Sequence, residues 1–75
     1  MGTANLELTR RIREAIIKDP SLSNRAQNVE IVVVNGAVTL RGPVASSEEK
    51  ATLAAKAQDV SGVKTVDNQL DVSSH

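Results

Sequence analysis

The residues of this 75-residue chain whose types and spacing could do chemistry are cations near the N-terminus. Arg10, Arg11, Arg13 and Lys18 crowd one short segment, a spacing that suits attraction to anionic phospholipid headgroups. Each such side chain is worth about 1 kcal/mol beside a charged membrane surface. The same segment carries Glu7 and Glu14, which set up the i,i+4 pairs Glu7–Arg11, Arg10–Glu14 and Glu14–Lys18. That arrangement leaves Arg13 the least neutralised of the four. Leu6, Arg13 and Ile17 share a side of the helix, away from its main apolar stripe, so the expected lipid-facing set is Arg10, Arg11, Arg13, Ile17 and Lys18. An ordinary solvated helix face would carry the same charges.

Other chemistries find little support. The sole histidine is the terminal His75 and cysteine is absent, so no internal imidazole or thiolate can serve as base, nucleophile or metal ligand. Glu48 and Glu49 are accounted for by helix capping and the helix dipole. Asp67 and Asp71 alternate along one strand face and, with Gln69, offer at most a weak site for a hard cation. The glycines form no G-x-G-x-x-G or G-K-[ST] pattern. The expectation is a protein without catalytic residues, cofactor, metal or small-molecule substrate.

Nine basic residues balance nine acidic ones, which removes the excess that drives phosphate-backbone binding. A G-x-x-G loop between helices and aromatic residues on a sheet, the marks of two small RNA-binding folds, are both missing. Nucleic acid is therefore not an expected partner. With no aromatic residue at all, attachment to a membrane would be electrostatic and shallow. Absence of cysteine leaves the redox compartment open. No apolar run reaches the length of a membrane span or signal-peptide core. Met1-Gly2 runs straight into domain sequence, as in a segment cut from something longer.

The elements that must position these residues are easier to read. Leu8, Ile12, Ala15 and Ile16 recur at helical spacing, predicting a helix from Leu6 to Lys18 with Asn5 as N-cap and Asp19-Pro20 as the stop. Ser21 to Asn28 reads as a loop with room for one helical turn, pinned to the core by Leu22. From Val29 to Gly42 the chain reads V-E-I-V-V-V-N-G-A-V-T-L-R-G. Asn35-Gly36 supplies the two positive-φ residues of a type I′ turn, and that turn dictates the register. Glu30 must face Arg41, Ile31 face Leu40, Val33 face Val38 and Val34 face Ala37. Val29, Ile31, Val33, Val38 and Leu40 then share one face.

Ser46-Ser47-Glu48-Glu49 predicts a second helix with a capping box, Ser46 at N-cap and Glu49 at N3. It runs to Asp59 or Val60, with Leu53, Ala57 and Val60 inward and Ser61-Gly62 as the stop. Val63 to Val72 returns to strand, with Val66, Asn68, Leu70 and Val72 on one face. The fold class is α+β: a two-layer sandwich of order α-β-β-α-β with both helices on one face of a three-stranded mixed sheet. A right-handed crossover lays the third strand parallel to the second; pairing of that strand with the first, antiparallel, stays open. One domain covers 6–72, with 1–5 and 73–75 as flexible termini.

Asp19-Pro20-Ser21-Leu22 after the first helix, the V-x-I-x-V-x-N-G-x-V-x-L-x-G hairpin, Ser46-Ser47-Glu48-Glu49-Lys50 and Gly62-Val63-x-x-Val66-x-Asn68-x-Leu70 together resemble the BON domain, a family named for bacterial osmotically induced periplasmic and nodulation proteins. The resemblance spans Leu6 to Val72. It implies a non-enzymatic bacterial module in the periplasm or at the envelope that binds phospholipid and helps maintain the envelope under osmotic stress. Gly36, Gly42, Gly62 and Asn68 match its recurrent positions; turn, strand end and helix stop account for the glycines, and satisfied backbone groups for Asn68.

A second class of function arises on the outer side of the hairpin. Ile31 to Val34 is apolar throughout, so Val32 and Val34, beside Thr39, point away from the helices. Strand propensity alone can explain such residues. The functional alternative is a protein-interaction face, through Val32, Val34 and Thr39, toward another copy or a neighbouring domain.

Overall fold

Asn35 and Gly36 adopt φ values of 51° and 85°, and these two left-handed residues reverse the chain between β1 (Glu30–Val34) and β2 (Ala37–Val44). The ladder pairs Glu30 with Arg41, Ile31 with Leu40, Val32 with Thr39, Val33 with Val38 and Val34 with Ala37, residue for residue as the turn demands. In the computed structural model, which describes residues 3–72, the remaining elements are α1 (Thr3–Ile17), α2 (Asn24–Gln27), α3 (Ser47–Asp59) and β3 (Thr65–Val72). The expected tail 73–75 lies outside the described residues, as do Met1 and Gly2.

β3 pairs parallel with β2, from Ala37 opposite Thr65 to Val44 opposite Val72, giving the strand order β1-β2-β3. The crossover through α3 delivers β3 to the edge of β2 away from β1, so β3 makes no antiparallel pairing with β1. The junction is fixed at the hairpin tip, where the Gly36 carbonyl accepts hydrogen bonds from the backbone N–H of Lys64 (2.8 Å) and Thr65 (3.4 Å). Strand three accordingly starts at Thr65, two residues later than the apolar pattern implied.

One apolar core joins the layers. Ile12 and Ile16 of α1 and Leu53 and Ala57 of α3 meet Val33, Val38, Leu40, Val44 and Leu70 of the sheet, closed by Leu22, Ala26 and Val29. Each buried Leu, Ile or Val contributes roughly 1.5 to 3 kcal/mol against water. Val44 became a core residue because β2 runs past Gly42 and Pro43 before ending.

The first helix begins earlier than its polar boundary suggested. Asn5 is inside α1 rather than its N-cap, and its carbonyl accepts the Thr9 hydroxyl at 2.9 Å. Thr3 to Asn5 are therefore helical, where a flexible lead-in was expected. The helical turn between Ser21 and Asn28 is present as α2, capped by the Ser23 hydroxyl accepting from Ala26 N–H.

Candidate functional site

Side chains at i, i+4, i+7 and i+11 lie along one side of a helix, and in α1 these positions are Leu6, Arg10, Arg13 and Ile17. Leu6 is 71% exposed and Ile17 55%, beside the buried Ile12 and Ile16 on the core side. No acid falls on this line. Glu7, Arg11, Glu14 and Lys18 form a second, adjacent line of alternating charge.

Neutralisation along the helix differs from the expected pattern. Glu7 and Arg11 form an ion pair of 3.1 Å on the surface. Arg10–Glu14 and Glu14–Lys18 do not close: among the described residues neither Arg10 nor Lys18 has an ion-pair partner. Arg13, expected to be the least engaged, is instead half-buried and donates from Nη1 to the Gln27 carbonyl at 2.8 Å. The C-terminus of α2 leaves a carbonyl unpaired within its own helix, and a guanidinium on the neighbouring helix satisfies it. Arg10 is thus the exposed cation on the apolar line, and Arg13 joins α1 to α2.

A second polar cluster lies where residues 19–23 meet α3. The Ser46 hydroxyl caps α3 by accepting Glu49 N–H at 3.2 Å. The reciprocal arm of the capping box goes elsewhere. Glu49 accepts Ser23 N–H at 2.7 Å, the Ser23 hydroxyl at 2.9 Å and Ala45 N–H at 2.9 Å. Burial pushes the Glu49 carboxyl up, yet the bonds from Ala45 and Ser23 outweigh it and hold the group below its ordinary value. Asp19 is also held low, by the Ser21 hydroxyl and N–H and by Lys56, whose Nζ lies 3.2 Å away. Local sequence pointed to the Ser46 cap; the contact with Ser23, twenty-six residues away, has no local signature.

On the sheet, the Asn68 amide donates to the Lys50 carbonyl at 3.0 Å and its oxygen accepts Leu70 N–H at 3.2 Å. The bonds tie β3 to α3. Gly42 has φ 133° in β2, where its Hα side faces Val29, and Gly62, φ 101°, sits against Leu8 in the turn after α3. Val32 and Val34, 38% and 56% exposed, lie on the outer face with half-buried Thr39. Gln69 donates to Asp67 at 2.8 Å, and among the described residues no three His, Cys, Asp or Glu side chains gather as a metal site. Nor is any described helix long and apolar enough to cross a membrane.

No curated protein matches the chain at a significant level. The hairpin register, the clasped α3 N-terminus and the parallel third strand are the framework on which the quoted motif residues fall. A family model, the BON domain, matches residues 5–74, nearly the whole chain, and the chain belongs to the BON domain family.

Proposed function

We propose that this domain binds the surface of an anionic phospholipid bilayer through the outer line of α1, in the periplasm of a bacterium and in the service of envelope maintenance under osmotic stress. The BON domain is a non-catalytic binding module associated with the bacterial envelope, its partners lipid or protein. The observation that supports lipid for this chain is the line Leu6, Arg10, Arg13 and Ile17, which joins two exposed aliphatic side chains to cations without an intervening acid. A basic, apolar helix face of this kind lies in the plane of the headgroups. Arg10 supplies the free charge, Lys18 and Arg11 flank it, and Leu6 and Ile17 enter the headgroup boundary.

Co-sedimentation with vesicles containing phosphatidylglycerol tests the reading. Binding is expected at about 0.01 M salt and should vanish near 1 M, where the screening length falls to about 3 Å. Arg10→Gln should weaken it about fivefold, the equivalent of about 1 kcal/mol per cation, and Ile17→Ser should weaken it independently. Failure to sediment with anionic vesicles at low salt overturns the proposal.

A further inference from the structure

The face of the sheet opposite the core is a surface of defined chemistry. The strand register arranges it in rows: Pro43 and Asp71; Glu30, Arg41 and Gln69; Val32, Thr39 and Asp67; Val34, Ala37 and Thr65. All are exposed except Thr39, which is half-buried. Three acids, Glu30, Asp67 and Asp71, stand against one base, Arg41, so the face is net acidic with an aliphatic corner at Val32 and Val34. Laying two such faces together would oppose acid to acid. The complementary occupant is aliphatic at one end and cationic at the other.

That description fits the outer line of α1. We propose that the open sheet face receives α1 of a second copy of this chain, head to tail, with Ile17 over Val32 and Val34 and Arg10 reaching Asp67. The dimensions agree: the seven helical steps from Arg10 to Ile17 span about 10 Å, and two inter-strand spacings from β1 to β3 also cover about 10 Å. Because the two surfaces differ, the contact is heterologous, and each pair retains one free helix line and one free face. At rising concentration the copies add in series. The inference uses the α1 line but does not depend on lipid binding. Where both occur they exclude each other, since one line cannot face a vesicle and a sheet at once.

Sedimentation velocity of the full chain at low salt tests it. Self-association is expected to grow with concentration and to collapse at high salt. Ile17→Asp removes the helix line and Val34→Asp the sheet face; each alone should weaken association at least tenfold, while an equimolar mixture forms a one-to-one pair that grows no further. Arg10→Glu should lose association and regain it when combined with Asp67→Lys, which keeps the test decisive should either aspartate variant fail to fold. A wild-type chain that stays monomeric at millimolar concentration overturns the inference, as does a sheet-to-sheet dimer, in which Val34→Asp abolishes pairing and the mixture does not recover it. Vesicle binding by Val34→Asp is a separate readout. Its persistence beside a wild type that stays strictly monomeric would remove the head-to-tail contact and leave the lipid reading standing.

Discussion

Protonating Glu49 weakens three hydrogen bonds from two segments at once, which makes this side chain an acid-sensitive link outside the apolar core. Its ordinary value is 4.5 and that of Asp19 is 3.8, and both groups are held lower in the folded protein. A carboxylate depressed by folding contributes stability above its unfolded value, and that contribution disappears as pH falls through the folded one. Stability is therefore expected to be level near neutrality and to decline below pH 4.5. Glu49→Gln should cost about 1 to 3 kcal/mol at neutral pH, lowering the melting temperature by roughly 4 to 8 °C per kcal/mol. Its acid limb should also be shallower than that of the wild type. Thermal melts across the acid range check both. Arg13 shows why this scale was the hardest to read from sequence. Intrahelical spacing describes what α1 offers its own side chains, and the group that captured Arg13 was a carbonyl on α2.

Elements were legible where a local rule left one solution. Asn35-Gly36 admits one tight turn, and the turn admits one register, so the whole β1–β2 ladder followed from two residues. The stop of α3 near Asp59 followed in the same way from Ser61-Gly62. The α1 start was misread because Asn5 is a favoured cap residue by type, whereas helical hydrogen bonding in fact continues through it to Thr3. Gly42 matters at this scale. Its φ of 133° is closed to residues with a Cβ, yet it lies within β2 between Leu40 and Val44, both wholly buried. Gly42→Ala should therefore strain the strand by about 1 to 3 kcal/mol, read as a shifted urea midpoint with an unchanged slope.

For the molecule as a whole, charge balance conceals segregation. The helix line carries cations and the sheet face acids, so a chain with nine charges of each sign still has two surfaces that attract opposite partners. Composition read as a sum argued against nucleic-acid binding; the fold separates the terms of that sum. Vesicle sedimentation and the mixing of helix-line with sheet-face variants are the tests that belong to this scale. The outer residues Val32 and Val34 were assigned to their face by strand alternation alone. The acidic company they keep depended on β3 pairing with β2, which sequence left open.

The hydrogen bonds from Lys64 and Thr65 to the Gly36 carbonyl also bear on the order of folding. A two-residue hairpin closes in about 1 to 10 μs, whereas β3 must await a crossover whose loop-closure entropy is met only when its end finds a partner. The turn built first is the landing point for the strand that arrives last. Native-state hydrogen exchange should accordingly show β3 amides opening at lower free energy than those joining β1 to β2, and Leu70→Ala should speed unfolding while leaving the folding rate nearly unchanged.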